Sequence, residues 1–269
     1  MTYAQGLVLG LVQGVTEFLP ISSSGHLVLV PYLLGWPDQG LAFDAVMHLG
    51  TLGALVAYFR VELLAILASL GGGRDHAGTR RLALLLLAAT IPGGLAGVLL
   101  DKLIEAHLRL PIVVALSTLG WAIVMLVADR LATARPVQAA GERDVGWGPG
   151  LLVGCAQALA LVPGTSRSGI TITAGLFGGL DRATAARFAF LLGIPITAGA
   201  GGLKLLHMLR AGAAPDDRGP LLVALVASFA AGWAAVWFLV NYLKRNSLLP
   251  FVVYRVALGL ALLALVLRK

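Results

Sequence analysis

The chain has 269 residues, 58% hydrophobic and only 12% charged, with a mean hydropathy of +0.89. Soluble domains carry about 25% charged residues, so a water-facing globular domain is excluded and an all-α polytopic membrane protein is expected. The net charge of +7 comes from residues scattered over short connections. It forms no basic stripe interleaved with aromatics, so it argues against a nucleic-acid partner and fits cytoplasmic loops lying against membrane lipids.

The N-terminus, MTYAQGLVLG, lacks the basic region of a cleavable signal peptide, so it is expected to belong to the mature protein. The apolar stretch Gly6–Leu19 then runs for about 14 residues before Pro20, roughly 21 Å of helix. A hydrocarbon core is about 30 Å thick, so this stretch is too short to cross alone. QGVTEFLPISSSGH (Gln13–His26) brings a polar turn, followed by a second apolar piece, Leu27–Leu34. The pattern predicts a re-entrant helical hairpin. Three full crossings are expected next, at Phe43–Phe59, Leu82–Leu100 and Pro111–Ala128.

After a polar connection the order recurs. Gly150–Val162 is again short and ends at Pro163. The turn PGTSRSG and Ile170–Leu176 follow, then crossings at Phe188–Leu206, Leu221–Val240 and Phe251–Leu267. The single cysteine, Cys155, rules out a disulfide framework, and its small apolar neighbours predict inert packing.

The recurrence extends to residues. Setting Gly6–His26 over Gly150–Ile170 at an ungapped offset of 144 matches seven of 21 positions, including Gln13/Gln157, Ser22/Ser166, Ser24/Ser168 and Gly25/Gly169. Pro111–Val127 lies over Pro250–Val266 at an offset of 139, matching Pro111/Pro250 and Gly120/Gly259 among others. The reading is one membrane domain over residues 1–269, with repeat 1 at about 1–135 and repeat 2 at about 145–269. Three crossings per repeat make the second half inverted relative to the first. Inverted repeats with broken helices place their site near the midplane, where irregular backbone survives only inside protein or beside a wet cavity. The two polar turns are expected to meet there.

Eleven basic residues (Arg60, Arg74, Arg80, Arg81, Arg130, Arg135, Arg143, Arg182, Arg187, Lys244, Arg245) fall on the side opposite the N-terminus. Seven (Lys102, Arg109, Lys204, Arg210, Arg218, Arg268, Lys269) fall on the N-terminal side. The excess places the first group in the cytoplasm and the mouth of the first hairpin outside.

Glu17 is the first candidate for chemistry, because intramembrane ionisable groups are costly and mark function. Gln13 lies four residues before it on the same helix face. The hydroxyls and amides of Ser22, Ser23, Ser24, Gly25, Thr165, Ser166 and Ser168 suit an anion at helix starts, although helix capping alone uses the same residues. Arg167, with no acidic neighbour in sequence, calls for phosphate oxygens; pairing with Glu17 across the repeats is the structural alternative. His26 can move protons or attack phosphorus, and Thr171 extends the anion site. Asp44 and His48, at i and i+4 on one helix face, have the spacing of a metal-ligand pair but are expected to pair with each other, and Arg255 to snorkel or pair structurally. An inverted-repeat transporter or flippase of a lipid phosphate or small anion would need Arg167 and the serine turns equally. Only His26 beside Glu17 favours catalysis over binding.

QGVTEFLPISSSGH, LVPGTSRSGITIT and FDAVMHLGTLGALVAYFR resemble, in order and spacing, segments of the bacterial undecaprenyl-diphosphate phosphatase family, also called bacitracin-resistance proteins. The resemblance implies removal of the terminal phosphate from undecaprenyl diphosphate, which recycles the lipid carrier of peptidoglycan synthesis. It implies a location in the bacterial inner membrane, a site open to the periplasm and a divalent cation, Mg²⁺ or Ca²⁺. By position, Glu17 takes metal-binding or acid–base work, and Ser22 and Ser23 contact the diphosphate. Ser23, His26 or water is the nucleophile, or His26 the base, and Arg167 is the clamp. Many members carry Glu where this chain has Gln13, so a two-carboxylate metal site is in doubt and Gln13 offers only its amide oxygen. A homodimer is left open. The other membrane phosphatase superfamily also uses SGH and SR fragments, but its Lys-x₆-Arg-Pro motif is missing after Arg167.

Overall fold

The structure, a computed structural model, describes residues 1–37, 39–71, 77–108, 110–134, 141–210 and 218–267. These form α1 (Tyr3–Phe18), α2 (Ser23–Leu34), α3 (Gly40–Tyr58), α4 (Arg60–Ser69), α5 (Ala77–His107) and α6 (Pro111–Ala134). A 3₁₀ turn, Glu142–Asp144, leads to α7 (Trp147–Leu159), α8 (Arg167–Phe177), α9 (Arg182–Arg210), α10 (Arg218–Tyr242) and α11 (Leu249–Leu267). Among the described residues, five helices (α5, α6, α9, α10, α11) are long and apolar enough to cross a membrane. A sixth crossing is counted if α3 and α4 act as one span.

The expected first crossing, Phe43–Phe59, differs in shape. Its helix bends by 73° where α3 passes into α4. As expected, α1 is short: 16 residues give about 24 Å. Of the basic residues that set the orientation, Arg74, Arg109, Arg135, Arg268 and Lys269, and the side chains of Lys102, Lys204 and Arg210, lie outside the described residues.

Without a hydrophobic drive between helices in lipid, close association depends on small residues that let backbones approach. α1 carries Gly6, Gly10 and Gly14 on one face and lays them against α10 at Pro220, Ala224 and Ser228–Gly232. A Cβ on Gly14 would come within 2.7 Å of the Ala231 side chain and the Ser228 carbonyl. At the matching positions in the second half, Gly150 and Gly154 of α7 pack on Leu85 and Ala89 of α5. α3 pairs with α9 and α6 with α11. Each pairing thus joins a helix from residues 1–135 to one from residues 145–269. Phe18 and Phe190 meet edge to face at 5.5 Å in the core between them. Leu99, Leu116, Ile123, Leu222 and Val253 remain exposed on the outer faces, as a lipid-facing surface requires.

One end of the bundle is tied by ion pairs. Arg187 of α9 holds Glu142 through two bonds of 2.9 Å and Glu62 of α4 at 2.5 Å, with its guanidinium 5.3 Å from the Phe59 ring. Arg182 pairs with Asp129 of α6 at 2.6 Å. Cys155, expected to pack inertly, is instead exposed on α7.

Candidate active site

Both polar turns break the backbone in the same way. Ser22 (φ 74°) and Ser166 (φ 68°) are the only non-glycine residues with positive φ among the described ones. They precede α2 and α8, and stand 144 positions apart, as the repeat alignment pairs them. Such backbone costs about 1–3 kcal/mol and persists where the surroundings fix it. Each of these serines also meets the serine two residues on, at 3.2 Å in both turns. The conformation turns Ser23 and Arg167, which follow, towards one place.

That place is the Glu17 carboxylate, which is 8% exposed. Its Oε1 accepts from Arg167 Nη2 at 2.8 Å. Its Oε2 accepts from Ser23 Oγ at 2.7 Å and from Gln13 Nε2 at 3.1 Å. His48 Nε2 stands 3.5 Å from the same oxygen, while its Nδ1 lies 2.7 Å from the Asp44 carbonyl. The expected Asp44–His48 side-chain pairing is therefore corrected: the ring bonds to the backbone behind it and faces Glu17. Arg167 Nη1 donates to the Gly193 carbonyl at 3.2 Å and to the Thr197 hydroxyl. A cavity of about 10 Å³, room for roughly one water, lies among Glu17, Phe18, Arg167, Ser168, Phe190 and Gly193.

His26 is placed elsewhere. Its Nδ1 sits 2.7 Å from the Ser22 carbonyl and its Nε2 2.6 Å from the Tyr254 hydroxyl. A carbonyl only accepts, so Nδ1 carries the proton, and in the neutral ring Nε2 accepts from Tyr254. The ring stacks on Tyr254 and lines an open, largely apolar groove of about 580 Å³ between α1 and α11. Glu17 faces the other side of α1, so the two groups expected to act side by side look into different compartments. Of the remaining expected residues, Ser168 donates to the carbonyls of Glu17 and Leu19, at 3.3 and 3.2 Å. Thr165 meets Ser117 at 3.1 Å, and the Thr171 hydroxyl is spent on the Arg167 carbonyl at 2.7 Å. Ser24 Oγ reaches the Gly164 amide at 3.5 Å, joining the two turns, and Gly25 packs beside Ser22 and Val114.

Arg255 does not snorkel. It is 1% exposed, and its guanidinium donates to the carbonyls of Thr118, Pro20 and Gly164. Sequence reasoning weighed structural pairing for Arg255 but not these carbonyl partners, and it missed the roles of His48, Thr197 and Tyr254. The adjacent Tyr254 and Arg255 in an apolar span were the available signal.

Among the described residues no three His, Cys, Asp or Glu side chains cluster as metal ligands. Gln13 Oε1 is nevertheless buried without a hydrogen-bond partner, beside the Glu17 carboxylate. One carboxylate plus an amide oxygen fits a cation that takes its other ligands from phosphate and water.

Known proteins match this chain over nearly its whole length. The family model described as "Bacitracin resistance protein BacA" matches residues 6–261. "Undecaprenyl-diphosphatase 2" of Stutzerimonas stutzeri (strain A1501) is 46% identical, over 98% of each chain. "Undecaprenyl-diphosphatase" of Teredinibacter turnerae is 46% identical over 95% of this chain and 96% of its own. That of Nitrosococcus oceani is 46% identical over 96% and 97%. With a match running from the first glycine of α1 into α11, and relatives similar end to end, the chain belongs to the bacitracin resistance protein BacA family.

Proposed function

We propose that this multi-pass membrane protein hydrolyses undecaprenyl diphosphate to undecaprenyl phosphate and inorganic phosphate, recycling the lipid carrier for envelope glycan synthesis and so conferring bacitracin resistance. Family membership and the relatives' names support the substrate. One observation carries the chemistry: a single buried carboxylate, Glu17, is shared between the Ser23 hydroxyl of one turn and the Arg167 guanidinium of the other.

Ser23 Oγ attacks the terminal phosphorus while its proton passes to Glu17 Oε2. The bond from phosphorus to the bridging oxygen breaks, and undecaprenyl phosphate leaves with the electron pair and the proton from Glu17. Water then attacks the phosphoserine with Glu17 again as base, releasing phosphate and restoring the hydroxyl. We assign the attack to Ser23 because both ring nitrogens of His26 are already engaged, and its bond to Ser22 steadies the serine turn instead. Phosphate oxygens compete with Glu17 for Arg167 Nη2, so the resting ion pair holds the guanidinium ready for substrate. Ser22, Ser24, Gly25, Thr165, Ser166 and Ser168 build the two turns that hold the diphosphate, whose oxygens meet the uncapped amides at the start of α2 and those at the start of α8 beyond the Gly169 amide that Ser166 caps. Glu17 and the free Gln13 Oε1 would hold Mg²⁺ or Ca²⁺, whose charge offsets that of the transferring phosphoryl group.

The pairings α1 with α10, α5 with α7, α3 with α9 and α6 with α11 support two inverted-topology repeats, each a re-entrant hairpin plus three crossings, within one membrane domain. The inner membrane with the site towards the periplasm is the location we assign, on the charge bias of the loops.

The test is phosphate release from undecaprenyl diphosphate plus Mg²⁺ by purified protein in detergent. Steady release is expected, and its abolition in Ser23→Ala. A folded, lipid-binding but inactive wild-type protein would instead support a lipid-phosphate flippase.

A further inference from the structure

We infer that Arg255 is a positioning residue that clips the two serine turns together and places a second buried positive charge behind the diphosphate site; this rests on the hydrolase reading above. Arg255 Nη1 donates to the carbonyl of Pro20, where α1 enters the first turn, at 3.3 Å. Nη2 donates to the carbonyl of Gly164 in the second turn at 3.0 Å, and Nε to Thr118 of α6 at 3.3 Å. One planar fork thus ties three segments that are far apart in sequence, a task that the compact ammonium of lysine meets less well.

Gly164 is held from the other side too. It adopts φ +89° and receives the Thr118 hydroxyl on its carbonyl at 3.3 Å, and a Cβ there would collide with Val114. The neighbouring Tyr254 holds His26 at the far end of the first turn. Two consecutive residues of α11 therefore fix the first turn at both ends and the second at Gly164, three residues before Arg167.

No carboxylate pairs with Arg255 among the described residues. A buried cation lacking a counter-ion is costly, and three carbonyl dipoles offset that cost only in part. A Cβ built on Gly169, in the first turn of α8, would lie 3.4 Å from Arg255 Nη1. The uncompensated charge thus adjoins the helix start where phosphate oxygens arrive, and the incoming diphosphate completes its neutralisation.

The experiment compares wild type, Arg255→Met and Arg255→Lys in detergent. It measures kcat and KM for undecaprenyl diphosphate and, independently of turnover, the Kd for inorganic pyrophosphate by calorimetry. A loss of folded protein lowers apparent kcat and leaves KM and Kd unchanged. Misplaced turns and a lost charge raise both, by about tenfold in Arg255→Met, the size of one lost charge-assisted hydrogen bond. Arg255→Lys, which keeps the charge, is expected to fall between. Unchanged KM and Kd in Arg255→Met overturn the inference; if that variant does not fold, unchanged values in Arg255→Lys do so. A wild type that binds pyrophosphate but releases no phosphate overturns the hydrolase reading alone, and Kd still decides the role of Arg255.

Discussion

Glu17 has two oxygens and four neighbours, and its division of labour sets what each substitution does. Oε2 serves Ser23 and Gln13, with His48 close by, while Oε1 serves Arg167. Glu17→Gln removes the proton acceptor but keeps the shape, so kcat should fall by about 10²–10⁴, the range for general-base loss, in initial-rate assays. Arg167→Ala should weaken pyrophosphate binding far more than His26→Ala does, because only Arg167 faces the Glu17 cavity. Equal losses by calorimetry would contradict these roles. Glu17, Ser23 and Arg167 stood out in the sequence because polar groups inside an apolar run have few structural uses. Their mutual contact was less legible, since it needs the two halves docked. The engagement of His26 by Tyr254, 228 positions away, left no local trace.

At the level of elements, the short helices and their turns were legible from length and from Pro20 and Pro163 alone. The bend between α3 and α4 was not, because hydropathy runs on across it. The glycine face of α1, with Gly6, Gly10 and Gly14 four residues apart, was not drawn from the sequence, and its partner α10 emerges only from the packing. Gly14→Val should overpack this seam and destabilise the protein by about 1–3 kcal/mol, seen as a lower Tm in detergent. Ser22 offers a second test. Its positive φ suits glycine and opposes a β-branched side chain. Ser22→Gly should fold at wild-type yield, whereas Ser22→Val should lose most folded protein on size-exclusion chromatography.

Across the whole molecule, the ion pairs at one end and the swapped helix pairs do the joining. Glu142 lies outside the spans. Burial raises its pKa, but the Arg187 hydrogen bonds and charge outweigh this and hold it below the usual carboxylate value. A depressed folded pKa gives stability that is present above the unfolded value, about 4.5, and is lost as pH falls through the folded one. Thermal stability should therefore decline on acidification below about pH 4.5, and Glu142→Gln should flatten that part of the profile. The exchange of α1 and α7 between halves has a consequence for synthesis. The first helix made must wait for one of the last, since its glycine face meets α10 only after residue 218 has emerged. A nascent chain thus carries an unfinished seam through most of translation, and neither half can complete itself. Two halves separated near residue 138 and made together should reassemble, whereas each made alone should be degraded.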